Sequence, residues 1–242
     1  MNILVIGAGG VGASMASIAE TRSFFTQFVL ADISLSRAEE AIALLDDRSK
    51  FVAEQVDARD MGAIKALIQK VKADVVVNAC DPRMNEPIFN AAFEAHCNYI
   101  DMAMNLSEPH ASNPYEEVGS PLGADQLAAD QAWRDRGLLA LVGMGVEPGL
   151  SDVFARYAAD NLFDTIDEIG VRDGSNLSID GLDFAPTFSI WTTIEECLNP
   201  PIVWEKNRGL YTTDCFSEPE VFHFPAGIGP YECVNVEHEE VL

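Results

Sequence analysis

Through the first 160 residues, short apolar runs alternate with longer stretches in which apolar positions recur at helical spacing. The runs at 2–6, 28–32, 51–56, 74–79, 99–102 and 138–143 predict β-strands. The stretches 11–20, 34–45, 61–71, 85–95, 123–136 and 150–161 predict helices. Strict alternation of strand and helix implies a parallel sheet covered on both faces, because each crossover helix must pack back on the sheet. Residues 105–122 are rich in Pro, Ser, Asn and Glu and predict a surface loop.

The texture changes after residue 164. TIDEIGVRD, PIVWEKN, GLYTTDC, EVFHFP and YECVNVEHEEV predict strands broken by Gly, Pro and Asn turns, with one helix at about 189–198. This is a mixed or antiparallel arrangement, hence a second domain, and we divide the chain into 1–146 and 147–242. The chain ends on the strand-like VNVEHEEVL with no closing element, so the second domain is expected to be incomplete at its C-terminal end.

Composition narrows the partners. Asp and Glu number 39 against 15 Lys and Arg, a net charge of −24, which repels nucleic acid and anionic membrane surfaces. No apolar stretch approaches the ~20 residues of a membrane-spanning helix. The opening MNILVIGAGG lacks a basic leader and reads as a first strand. Five scattered cysteines without a CxxC pair predict reduced thiols in a cytoplasmic protein, with no structural zinc site.

The strongest chemical signal is Gly7-Ala8-Gly9-Gly10-Val11-Gly12, a G-x-G-x-x-G run between a strand and a helix. Gly7 permits the tight turn, Gly9 lets the backbone approach a pyrophosphate, and Gly12 lets helix and strand pack closely. Asp32, twenty residues beyond Gly12, ends the second strand, where a carboxylate accepts bonds from the adenosine ribose. That favours NAD over NADP, because a carboxylate repels a 2′-phosphate; Arg37 is the residue that would serve NADP. By strand-end position, Asp57 is a candidate for the adenine, and Asn78, Ala79 and Cys80 for the nicotinamide ribose.

Asp101 ends the fifth strand and is a candidate for orienting substrate or nicotinamide. Glu147-Pro148-Gly149 lies at the next strand-to-helix junction, where Pro suits the first helical turn and a helix N-terminus can hold a carboxylate. It is read as the floor of a substrate site, with Ser151 as a helix cap. The acids around His238 (Glu237, Glu239, Glu240) read as a solvated edge, with Glu237 and His238 on opposite faces of a strand.

GAGGVG, YIDMA, GMGVEPGLSD, SIWTTIEECLNP and GIGPYECVNVEHEE together resemble the saccharopine dehydrogenase family, over essentially the whole chain. The resemblance implies an N-terminal Rossmann domain with a mixed-sheet substrate domain. It implies NAD(P)-dependent hydride transfer at a carbon–nitrogen bond of an amino acid or amine, and a homodimer. It also implies a chain longer than this one, returning to the first domain after the second. For that chemistry Asp101 and Asp152 are candidates to attract an ammonium group, and Tyr231, Glu237 and His238 to handle a proton. Arg172, Lys206 and Arg208 are candidate carboxylate clamps. The competing expectations are an oxidoreductase acting on an aldehyde or alcohol, and a non-catalytic dinucleotide sensor.

Overall fold

The structure, a computed structural model, describes residues 1–174, 176–182 and 189–241. The chain divides into two compact units, residues 1–105 with 125–144 and residues 106–124 with 145–242.

The first unit is a six-stranded sheet: β1 (Asn2–Ile6), β2 (Gln27–Asp32), β3 (Phe51–Gln55), β4 (Val75–Asn78), β5 (Asn98–Asp101) and β6 (Ala140–Leu141). Its order is β3-β2-β1-β4-β5-β6 and every pairing is parallel. The helices between strands are α1 (Gly10–Glu20), α2 (Leu35–Ala43), α3 (Met61–Val71) and α4 (Asn85–Glu94), then α5 (Ala124–Ala128) and α6 (Asp130–Asp135).

β1 shows why the strands read as unbroken apolar runs. Leu4 and Ile6 join one core, with Tyr99 and Trp133, while Ile3 and Val5 join the other, with Leu30 and Phe28. Both faces are covered, so period-2 alternation is hidden. Aromatic rings fix each core: Phe89 lies 5.2 Å from Tyr99 and 4.8 Å from Trp133, and Phe25 lies 5.9 Å from both Phe28 and Phe51. The order reverses between β1 and β4, and a crevice at such a switch point is where sheets of this type take ligands.

The second unit holds α7 (Leu150–Asn161), α8 (Ile190–Leu198) and two separate antiparallel hairpins. One pairs β7 (Ile202–Glu205) with β8 (Gly209–Thr212), the other β9 (Glu220–Phe224) with β10 (Gly229–Cys233). Neither α7 nor α8 has a buried residue. Residues 106–124 close on themselves through reciprocal backbone bonds between Glu108 and Ser120.

Four expectations need correction. The helix expected over 123–136 breaks at Ala129, whose N–H is shared between the carbonyls of Asp125 and Gln126. The sixth strand pairs over two residues only. TIDEIGVRD forms no strand. VNVEHEEVL, whose Leu242 lies outside the described residues, is irregular and tightens into a 3₁₀ turn at Glu239–Val241.

Candidate functional site

In the first unit, the glycine run joins β1 to α1. Gly7 has φ +109°, and a Cβ there would stand 2.6 Å from the Ala79 carbonyl oxygen. A Cβ on Gly12 would stand 1.8 Å from the Gly7 oxygen. Those two glycines let the loop fold against itself. Gly9 and Gly10 are different: a Cβ on either meets nothing within 4 Å. Both are exposed, so the backbone at the start of α1 faces open space with its first N–H groups free of helical partners. A pyrophosphate fits such a cradle, and the helix dipole favours its charge.

Asp32 anchors this loop. It is 6% exposed; one carboxylate oxygen accepts from the Ala8 N–H at 2.9 Å and the other from the Ser34 N–H at 2.9 Å. Arg37 lies beside it, Nη1 at 3.7 Å, with its own side chain 59% exposed. Asn78 is a buried brace, donating to the Asn85 side chain (2.6 Å) and the Tyr99 hydroxyl (3.3 Å) and accepting from the Cys80 N–H (2.9 Å). The Ala79 carbonyl backs Gly7. Cys80 directs its thiol to the Ile6 carbonyl at 3.3 Å; burial, then the charges of Asp32 and Asp81, push its pKa up to about 12.

Two candidates in this unit have other occupations. Asp57 is held by Arg59 through side-chain bonds of 2.9 and 2.7 Å, which bring its pKa down to about 2. Asp101 is 1% exposed. It accepts from Gln126 Nε2 at 2.7 Å and the Gly143 N–H at 2.7 Å, tying β5 to α5 and to the turn after β6.

In the second unit, three separate segments meet at His238. Its Nδ1 is hydrogen-bonded to Glu240 Oε2, and Glu239 lies 3.3 Å from the same nitrogen. Nε2 faces Glu147 and Glu196, each at 3.9 Å. Ser151, in the first turn of α7, donates to Glu240 Oε1 at 3.2 Å rather than capping its helix. Burial lowers the His238 pKa, but the Glu240 bond and the charges of Glu239, Glu240 and Glu196 overcome it and raise the ring to about 9. Glu147 is raised to about 7, by burial first and then by Asp173, with His238 opposing. Burial also raises Glu196. Burial opposes ionisation of Glu240, yet the His238 bond and charge hold it below its ordinary value.

The acids around His238 are therefore no solvated edge. Glu237 and Glu239 are 2% and 7% exposed, and Glu237 accepts from Asn199 Nδ2 at 2.8 Å. Asp152 is used locally, accepting the Gly149 N–H at 2.9 Å where Gly149 has φ +119°. Tyr231 is 43% exposed on β10 with its ring 6.4 Å from Phe224, and is not among the groups around His238. Arg172 is paired with Glu220 and Glu168, Arg208 stacks on Tyr211 at 3.4 Å, and Lys206 is exposed. Sequence reasoning missed Glu196: an acid within an amphipathic helix carries no sign of a partner 42 residues on.

No helix among the described residues is long and apolar enough to cross a membrane. Comparison with known proteins bears on both units. Residues 3–141 match the family model of the saccharopine dehydrogenase NADP binding domain. Carboxynorspermidine synthase of Vibrio cholerae is 31% identical over 249 residues, covering 100% of this chain and 58% of the relative. Carboxyaminopropylagmatine dehydrogenase of a Synechocystis species is 29% identical over 194 residues, covering 80% of this chain and 46% of the relative. The chain thus spans about half the length of the curated relatives it matches. Among solved structures, saccharopine dehydrogenase (L-Glu forming) of Saccharomyces cerevisiae aligns over 66% of this chain and 31% of its own, with 15% identity and a TM-score of 0.50, a likeness of fold.

Proposed function

We propose that this chain, which belongs to the saccharopine dehydrogenase family through its NADP binding domain, is an oxidoreductase that moves a hydride between a nicotinamide dinucleotide and a carbon–nitrogen bond of an amino acid or amine. The observation that carries the reading is the uncovered backbone at Gly9 and Gly10, between a β-strand and a helix and anchored by Asp32. The nicotinamide supplies or accepts the hydride when bound. The chain's own residues do the rest. Gly9, Gly10, Val11 and the Ala8–Gly12 backbone hold the pyrophosphate, and Gly7 and Gly12 keep the loop in shape. Ala79 and Cys80 line the β4 end of the crevice, with Asn78 as their brace.

The finer cofactor choice falls on NADP(H). Both Asp32 oxygens already accept backbone N–H groups, whereas Arg37 is exposed and offers a guanidinium to a 2′-phosphate. The relatives' names point to carboxylated polyamines as the substrate class, and the acidic surroundings of His238 suit a cationic substrate. Of the candidates Asp101, Asp152, Tyr231, Glu237 and His238, only His238 stands in a polar cluster able to meet a substrate; Asp101 and Asp152 act as positioning residues. A cytoplasmic homodimer completes the reading; sedimentation showing a monomer at tens of micromolar would remove the dimer.

The test is a fluorescence titration with NADPH and NADH, followed by turnover on secondary-amine amino acids. Binding of NADPH at least tenfold tighter than NADH, with amine-dependent oxidation or reduction, is expected. Binding of neither cofactor would overturn the assignment. Binding with turnover only on alcohols would overturn the C–N specificity.

A further inference from the structure

We infer that Glu147, Glu196, His238 and Glu240 form a site for one divalent transition-metal ion, with zinc the best match to the donor set. The first argument is convergence. The four residues come from the loop before α7, from α8 and from the 238–240 turn, so no local ion-pair habit explains their meeting. The second is spacing. His238 Nε2 stands 3.9 Å from a carboxylate oxygen of Glu147 and 3.9 Å from one of Glu196. Donors around one tetrahedral zinc at about 2.0–2.2 Å stand about 3.4 Å apart, so closing each of these pairs onto an ion needs a shift of about half an ångström.

The third argument is orientation. A metal-binding imidazole usually gives its second nitrogen to a carboxylate, which fixes the ring. Here Glu240 occupies Nδ1 and is itself held by Ser151, and Nε2 is left facing Glu147 and Glu196, 3.9 Å from each. We therefore assign His238 Nε2, Glu147 and Glu196 as ligands and Glu240 as the outer partner. The fourth is charge. Among the described residues Glu147, Glu196 and Glu240 form ion pairs only with His238, so half-buried carboxylates outnumber the cation that faces them. One nitrogen with two carboxylates suits zinc-class ions better than magnesium or calcium, which favour all-oxygen shells. Three protein ligands leave a position for water or a substrate group.

The inference does not depend on the dehydrogenase reading, because it is tested without cofactor or turnover. The purified chain is stripped with a chelator, desalted and titrated with Zn²⁺ by calorimetry, then with Co²⁺ followed by visible absorption. We expect one equivalent of Zn²⁺, a Co²⁺ spectrum of a four- or five-coordinate site, and no comparable binding of Mg²⁺. His238→Ala should abolish the saturable binding, and Glu240→Gln should weaken it about 10- to 100-fold. The Co²⁺ spectrum of the unmutated chain decides the matter should a variant fail to fold. Substoichiometric Zn²⁺ uptake, an octahedral aquo-like Co²⁺ spectrum, or a folded His238→Ala variant that binds like the parent would overturn the proposal.

Discussion

Replacing glycines one at a time in the β1–α1 loop separates the loop's own needs from those of a ligand. Gly9 has φ −73° and ψ −164°, which alanine adopts readily, and its added methyl would meet no atom within 4 Å. Gly9→Ala should therefore leave stability within about 0.5 kcal/mol of the parent, or raise it by up to ~1 kcal/mol through the unfolded chain. The same methyl would project where a pyrophosphate must touch the backbone, so NADPH affinity should fall at least about tenfold, or ~1.4 kcal/mol. Gly12→Ala puts a methyl 1.8 Å from the Gly7 carbonyl oxygen, a backbone atom that cannot rotate away. It should cost about 3 kcal/mol, a fall in melting temperature of roughly 6–12 °C for a chain of this size. Thermal melts and NADPH fluorescence titrations on both variants read the two effects separately. The reasoning fails if Gly9→Ala binds NADPH like the parent, or if it melts as low as Gly12→Ala.

Arg37→Ala should weaken NADPH at least about tenfold while changing NADH less than threefold, read in the same titration. Asp101→Ala leaves the Gly143 N–H and the Gln126 amide without their acceptor and should cost about 3 kcal/mol in chemical denaturation, with NADPH affinity of the folded fraction kept. Trp133→Ala removes the ring packed between Phe89 and Phe93 and should cost about 3–5 kcal/mol by the same measurement. Cys80, its pKa near 12, and Cys97, also pushed to about 12 by burial, remain thiols at pH 8. Both should escape alkylation by iodoacetamide in the native protein and react once it is unfolded, as peptide mass mapping would report.

The first unit was legible because its signals are local. The glycine loop, the strand before it, the helix after it and Asp32 fall within the first 32 residues, and each apolar run lies beside the helix that covers it. Strand-end acids were harder. Position alone does not say which way a carboxylate turns, and Asp101 turns to Gln126, 25 residues later in sequence. Asp57 and Asp152 likewise found donors two and three residues away, in bonds that a spacing rule for ligands does not anticipate. The His238 cluster was illegible for a different reason: its members run from residue 147 to 240, and only tertiary folding brings them together. Alternating acids in 237–240 imitate an exposed strand edge, whereas the chain there leaves the extended path and buries two of them.

α7 and α8 bury none of their residues, and Phe154, Tyr157 and Trp191 are each more than half exposed. Apolar rings in water favour self-association, yet they sit on a chain of net charge −24, and like charge opposes association beyond a dimer. Colloidal behaviour should then follow the charge. Near the isoelectric point of about 4.2, or in concentrated salt, the repulsion fades and the uncovered helices become adhesive. The acid excess thus acts as a dispersant for the second unit, and handling at neutral pH and modest ionic strength is the condition under which the chain stays dispersed.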